Sequence, residues 1–244
     1  MIHETNNNIL SGKNCLITGS TGGIGQALAS QFAKEGCNLF LTATNKDKLK
    51  QLKKQLKKQY DIQVFCKKAD LESNKDIQKL ISTIRTKMSH IDILINNAGI
   101  FIVKPLEKLS VKDLKKSFDI NVLAAFTLSQ EFSKDMKKQK WGRIVNIGSS
   151  SAYGCSEETM AYAASKHALL GLTKGLQEEL SPHNVRAYIV SPAGTQTNMG
   201  KKIKNQTFDK FVLPSEIAEY IAFIIRFNKT MVTNELRLNR MVLG

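Results

Sequence analysis

In 244 residues the chain holds only four cysteines, four histidines, four prolines and one tryptophan. Cys15, Cys37, Cys66 and Cys155 lie far apart and form no C-x-x-C pair. That excludes a disulfide framework and a thiolate zinc site, and it fits the reduced, small apolar cysteines of an intracellular protein. His3, His90, His167 and His183 make no H-E-x-x-H or other metal spacing, so no metal is expected. No 18 apolar residues run together, which argues against a membrane-spanning helix. The first ten residues, MIHETNNNIL, lack a basic stretch followed by an apolar run. No secretory signal is therefore expected, and the cytoplasm is the expected compartment. There is no Pro/Gly/Ser-rich linker and no internal repeat. With 42% hydrophobic and 23% charged residues, the composition is that of an ordinary soluble globular protein. A single domain over residues 1–244 is expected, because one α/β unit often exceeds the usual ~150 residues.

Acidic residues are also in short supply. Lys and Arg number 36 against 21 Asp and Glu, a formal charge of +15. The excess is local: residues 46–68 carry +7, 134–143 carry +4 and 201–210 carry +3. In the first segment Leu49, Leu52 and Leu56 keep a narrow apolar stripe at helical spacing while lysines cover the rest, which reads as a solvated surface helix. The sharper alternative is an anionic partner: nucleic acid, an acidic carrier protein or a phosphorylated cofactor. No zinc finger, RNA-recognition motif or basic zipper accompanies the lysines, so nucleic acid is not expected.

Short apolar runs alternate with helical patterns along the whole chain. Strands are expected at Cys15–Thr18, Leu39–Thr42, Val64–Cys66, Ile91–Ile95, Arg143–Ile147, Arg186–Val190 and Glu235–Leu238. Helices are expected after the first glycine turn, across the Lys-rich segment, and over about 74–88, 110–137, 159–180 and 215–227. Strands separated by helices of ten or more residues mean parallel β-α-β units with right-handed crossovers. Near-continuous apolar strands mean that helices cover both faces. The fold class is therefore α/β: one doubly wound, Rossmann-type domain with a mostly parallel sheet of about seven strands.

Two signals point to chemistry. The first strand ends in Gly19-Ser20-Thr21-Gly22-Gly23-Ile24-Gly25, where a sheet of this kind binds a dinucleotide pyrophosphate at the positive end of the next helix. The second is Tyr162-Ala-Ala-Ser-Lys166. Alone among the five tyrosines, Tyr162 has a lysine four residues on, which puts both side chains on one helix face. A free phenol has a pKa of about 10. A nearby ammonium would lower it toward operating pH, making Tyr162 a candidate acid/base.

With these motifs in order, the sequence resembles the classical short-chain dehydrogenase/reductase family over nearly its whole length. Thr18-Gly19-Ser20-Thr21-Gly22-Gly23-Ile24-Gly25 matches the family's T-G-x-x-x-G-I-G loop, and Asn96-Asn97-Ala98-Gly99 matches its N-N-A-G. The resemblance implies that Tyr162 exchanges a proton with a carbonyl oxygen while hydride moves to or from the nicotinamide. It implies that Lys166 lowers the tyrosine pKa and holds the nicotinamide ribose. Ser149, thirteen residues before Tyr162, would bind the carbonyl oxygen, and Asn121 would anchor a proton-relaying water. For the cofactor it implies Gly19, Ser20, Thr21, Gly23, Ile24 and Gly25 at the phosphates, Asp70 and Leu71 near the adenine, and Asn97, Ala98 and Gly99 directly after a strand. Pro192, Thr195 and Thr197 would lie near the carboxamide and phosphates. Residues 1–11 would be an N-terminal extension and 198–214 a short substrate lid. Ala193 stands where the family usually has glycine, and the usual Gly-Gly ending is missing.

The end of the second strand bears on the choice of cofactor. NAD-specific sites place Asp or Glu there to bind the ribose 2′-OH; here Thr44-Asn45-Lys46 follows, with no acid until Asp47. NADP(H) is expected, with Thr44, Asn45 and Lys46 as its readers; NAD(H) stays open because the family's usual arginine is absent. The expected activity is a nicotinamide-dependent carbonyl reductase or alcohol dehydrogenase. Its alternative is a reductase of 3-oxoacyl groups on acyl carrier protein, met by Lys137, Lys138, Lys140 and Arg143 and by Lys201, Lys202 and Lys204. A non-catalytic regulatory protein is a further alternative, against which Ser149, Tyr162 and Lys166 argue. The helices around 110–137 and 159–180 resemble the family's dimerising pair, so a homotetramer, or else a homodimer, is expected.

Overall fold

The computed structural model describes residues 8–203 and 206–241. Among them, seven strands form one sheet: β1 Asn14–Thr18, β2 Asn38–Ala43, β3 Val64–Lys68, β4 Ile93–Asn96, β5 Gly142–Ile147, β6 Val185–Pro192 and β7 Glu235–Leu238. Every pairing is parallel, and the order is β3-β2-β1-β4-β5-β6-β7. The helices are α1 Gly23–Lys34, α2 Lys46–Gln59, α3 Asn74–Lys87, α4 Val111–Phe118, α5 Ala124–Gln139, α6 Met160–Leu180 and α7 Pro214–Arg226. The chain runs outward from β1 to β3, then returns to lay β4 on the other side of β1. This reversal opens a crevice past the carboxyl ends of β1 and β4, the place where doubly wound sheets bind ligands.

Alternation along each strand explains the continuous apolar runs. Cys15 and Ile17 of β1 face a core formed with Leu28 and Phe32 of α1, Leu49, Leu52 and Leu56 of α2, and Ile217 and Ile221 of α7. Leu16, between them, faces the opposite core with Ile77, Leu80 and Ile84 of α3 and Leu128 and Phe132 of α5. Both faces are thus buried, as a parallel sheet requires. The outermost strand β3 ends in Lys67 and Lys68, and charge on an edge strand discourages pairing with another chain. Seven lysines and one acid occupy α2, which buries only its leucine stripe.

The two ends of the sheet differ in kind. At the amino end, polar side chains hold the elements together. Asp92, 2% exposed, accepts from the Asn14 N–H at 2.9 Å and pairs with Lys13 and His90. Arg143, wholly buried, donates to the Asn228 side chain at 2.6 Å and to the Ile225 carbonyl at 3.4 Å. Burial without a carboxylate partner lowers its pKa to about 10. Arg186 donates to the Phe227 carbonyl at 2.8 Å, so two guanidinium groups satisfy carbonyls at the end of α7. The carboxyl end carries loops and the crevice.

Two expectations need correction. The helix expected over 110–137 is continuous but not uniform: α4 passes through a π-helical turn over Asp119–Leu123 into α5. Its cause is tertiary, as the site shows below. Lys137, Lys138 and Lys140 close α5 and precede β5, which places them at the amino end of the sheet, away from the crevice; Arg143 is in the interior. Parallel topology forces this, because a helix leading into a strand must finish at that strand's start.

Candidate active site

A cleft of about 1140 Å³ lies over the carboxyl ends of the strands. Its floor is the glycine turn. Gly19 has φ +61, and a Cβ there would come within 2.8 Å of the Ala98 Cα. At Gly25 a methyl would overlap the Gly19 carbonyl oxygen, so the turn closes on itself at the start of α1. Gly22 caps α1 without a side-chain hydrogen bond, leaving first-turn N–H groups free for an anion. Thr18 Oγ1 accepts from the Asn97 and Ala98 N–H groups at 3.0 and 2.9 Å. Asn97 Nδ2 donates to the Thr18 and Gly19 carbonyls at 2.9 and 3.1 Å. The two strand ends therefore brace one another, with the asparagine amide locked into the turn.

This cradle fits a dinucleotide, since space and donors stand where side chains would otherwise sit. Changing Gly25 to alanine should push the turn out of shape, because the obstacle is backbone. The expected result is a loss of dinucleotide affinity of at least tenfold by fluorescence titration, with the far-ultraviolet circular dichroism unchanged; wild-type affinity would show that the turn yields.

Gly19, Thr21, Gly23, Ile24, Asp70, Leu71, Asn97, Ala98, Gly99, Pro192, Thr195 and Thr197 all line the cleft. Thr44 lines it too, but Ser20, Gly25, Asn45 and Lys46 do not. Ser20 is buried and its hydroxyl donates to the Thr42 carbonyl at 3.2 Å, tying the turn to β2. Asn45 caps α2, its Oδ1 accepting from the Lys48 N–H at 2.9 Å. Lys46 starts the helix facing elsewhere. Asp70 Oδ1 accepts from the Glu72 N–H at 3.0 Å.

At the far end of the cleft stand Ser149, Tyr162 and Lys166. Ser149 follows β5 and accepts from the Ser151 N–H at 3.1 Å. Its own proton is then free for the Tyr162 hydroxyl, to which it is hydrogen-bonded. Tyr162 is 8% exposed and Lys166 4%, one turn apart on α6 with the Lys166 Nζ 5.6 Å from the phenol ring centroid. Lys166 Nζ donates to the Ile147 carbonyl at 2.7 Å. Loss of water pushes the two groups toward neutrality: burial raises the tyrosine pKa, the Ser149 hydrogen bond opposing it, and lowers the lysine to about 8. The sequence reading has the ammonium lower the phenol; desolvation by burial dominates instead and raises it. Tyr162 is thereby held protonated at neutral pH.

Asn121 lies on the π-helical turn, 2% exposed, and does not line the cleft. Its Oδ1 accepts from the Ile100 N–H at 2.8 Å, and its Nδ2 donates to the Ile100 carbonyl at 3.1 Å and the Ser165 hydroxyl at 2.9 Å. The amide clasps the loop after β4 from both sides, and the helix accommodates it with a widened turn. A Cβ on Gly99 would sit 3.2 Å from the Asn121 Oδ1 and 3.8 Å from the Lys166 Nζ. Glycine keeps the gap between those two groups open.

Several residues that shape the site carry no motif. Phe101 packs edge-to-face on Tyr162, centroids 4.8 Å apart, and lines the cleft with Val103, Met199, Ile203 and Phe208. Glu157, Lys201 and Lys202 also border it, as does Lys48; Lys204 lies outside the described residues. Ser117 is wholly buried beside Asn121. Only its i,i+4 spacing to Asn121 offered a signal.

The sequence profile of the short-chain dehydrogenase family matches residues 13–207. Over 236 residues the chain is 32% identical to a 3-oxoacyl-(acyl-carrier-protein) reductase of Aquifex aeolicus, covering 93% of this chain and 95% of that one. It is 31% identical over 239 residues to a 3alpha-hydroxysteroid dehydrogenase of Mediterraneibacter gnavus, with the same two coverages, 93% and 95%. Among solved structures it is similar to an alcohol dehydrogenase of Thermococcus sibiricus complexed with 5-hydroxy-NADP, at TM-score 0.85 and 25% identity, covering 93% of this chain and 95% of that one.

Proposed function

The chain belongs to the short-chain dehydrogenase/reductase family and is an oxidoreductase, and on that premise we propose that it reduces a carbonyl compound to its secondary alcohol with NADPH. The observation that carries the reading is a buried Tyr162 beside Ser149 and one helical turn from a buried Lys166, at the end of a long cleft. When bound, the nicotinamide supplies hydride for the carbonyl carbon. Tyr162 passes its hydroxyl proton to the carbonyl oxygen, a service worth about two to four powers of ten in rate. Ser149 turns its hydroxyl toward the same oxygen and orients it as negative charge gathers. Lys166 would hold the ribose hydroxyls, and Asn121 fixes the loop that walls this end.

NADPH is favoured because no carboxylate ends β2 to bind a ribose 2′-OH. Turnover of ketones, 3-oxoacyl thioesters and oxidised sugars, followed by cofactor absorbance, tests the whole reading. We expect kcat/KM for NADPH to exceed that for NADH at least tenfold on whichever carbonyl is turned over. Equal values would remove the cofactor assignment, and no turnover across the panel would remove the activity.

A second reading, reduction of a 3-oxoacyl group on a carrier protein, draws support from the Aquifex relative. With Lys137, Lys138, Lys140 and Arg143 away from the crevice, an acidic carrier would meet Lys201 and Lys202, which border the cleft. A rate advantage for the carrier-bound substrate over a small thioester should then fade as salt shortens the Debye length from about 10 Å to 3 Å. Large apolar side chains are exposed along the run from α4 to α5 (Val111, Leu114, Leu123 and Phe126) and along α7 (Tyr220 and Phe223), and α5 and α7 pack on opposite faces of the sheet. Two self-complementary interfaces make a tetramer where one makes a dimer, so these favour a homotetramer, and the mass in solution distinguishes the two.

A further inference from the structure

The start of α2 puts one cation into the adenosine end of the cleft, and it is not the one nearest the strand. Successive helix positions turn by about 100°, so residues two apart point to nearly opposite sides. Lys46 and Lys48 are so related. Lys48 borders the cleft together with Thr44, whereas Lys46 and Asp47 do not. The cap fixes this rotation: Asn45 Oδ1 holds the Lys48 N–H at 2.9 Å, and Leu49, the next residue, is 1% exposed and anchored in the core. The asparagine side chain is thereby spent on its own helix. Among the described residues no carboxylate pairs with Lys48. The acid bordering this end of the cleft, Asp70, sits after β3.

We infer that Lys48, reaching in from the first turn of α2, is the specificity-determining cation that binds the ribose 2′-phosphate, with the Thr44 hydroxyl beside it. The inference rests on the NADPH reading above and names its reader. A phosphate dianion offers an ammonium a charge-assisted contact that a 2′-hydroxyl does not. The other lysines of α2 then act only through their general field, which salt screens.

Calorimetric titration of the ligand-free protein with adenosine 2′,5′-bisphosphate and with adenosine 5′-monophosphate tests this without turnover. The wild type should bind the bisphosphate more tightly. Lys48→Met should weaken bisphosphate binding about ten- to one-hundredfold, the range of one hydrogen bond to a charged group, and change monophosphate binding less than threefold. Lys46→Met removes the same charge from the same turn on the far side and should change neither by more than threefold. Equal weakening by the two variants would overturn the assignment to Lys48 and leave only a diffuse field. Equal weakening of both ligands by Lys48→Met would overturn it as a reader of the 2′-phosphate. A wild type that does not prefer the bisphosphate would overturn the NADPH reading itself, and the inference with it.

Discussion

Replacing Tyr162 with phenylalanine is expected to lower kcat by about two to four powers of ten while leaving dinucleotide affinity within about threefold of wild type. The ring itself is retained. Its edge-to-face contact with Phe101 and its burial persist, so the variant should fold. What disappears is the proton at the end of the cleft and the acceptor for the Ser149 hydroxyl. An unmade hydrogen bond of that kind costs about 1–3 kcal/mol, which lowers the melting temperature by about 2–12 °C in a chain of this size. Steady-state kinetics at saturating cofactor, beside a fluorescence titration of the dinucleotide, separates the two effects. Near-normal turnover would remove Tyr162 from the acid/base role. A joint collapse of turnover and cofactor binding would point to misfolding of α6 instead.

Lys166→Met should act in two opposite directions. Catalysis should fall by at least two powers of ten, since the ribose loses its cation and Tyr162 loses its neighbour. Stability should rise. Burial takes the lysine from 10.5 in the unfolded chain to about 8 in the fold, and each unit of pKa is about 1.4 kcal/mol. Below pH 8 both states are protonated and the fold bears the full cost, on the order of 3 kcal/mol. Between pH 8 and 10.5 the unfolded chain binds the extra proton, so wild-type stability climbs with pH. Methionine removes that cost at the expense of the bond to the Ile147 carbonyl, leaving a net gain of about 1 kcal/mol, or 2–4 °C. The gain should shrink as pH rises toward 10, and thermal melts at pH 7 and 10 read it directly. The same titration governs cofactor affinity. An anionic ligand favours the charged lysine, so affinity should be full below pH 8 and decline above it. A methionine variant less stable at both pH values would show that the hydrogen bond outweighs desolvation.

The sheet was readable because each strand is buried on both faces, and continuous apolar runs such as Leu39–Leu41 record that directly. The glycine turn was readable because close backbone approach permits no other residue. Tyr162 and Lys166 declared themselves by spacing on one helix. What escaped was set by the third dimension. The helix over 110–137 runs unbroken, but nothing local marks the π turn inside it, where Asn121 clasps the Ile100 backbone across twenty-one positions. Proximity to β2 favoured Lys46, whereas the helical rotation fixed by a cap and a buried leucine brings Lys48 inward. Lys137 and Lys140 looked close to Ser149 in sequence, yet a strand's length puts them at the opposite, amino end of β5. Phe101 belongs to no motif, and only the packed ring reveals it.

The difference between the two ends of the sheet has a consequence for how such a chain can change over generations. Asp92, Arg143 and Arg186 clamp the amino end through hydrogen bonds between elements, so most substitutions there should be purged. The loops around Phe101, Glu157 and Met199 hang from strand ends that are already secured. Insertions, deletions or whole-loop exchanges at 154–159 and 198–203 can therefore redraw the substrate boundary while the clamp keeps the molecule folded. New specificities would be reached by trading rims on an unaltered chassis, and recombination breakpoints should cluster at the carboxyl ends of β5 and β6.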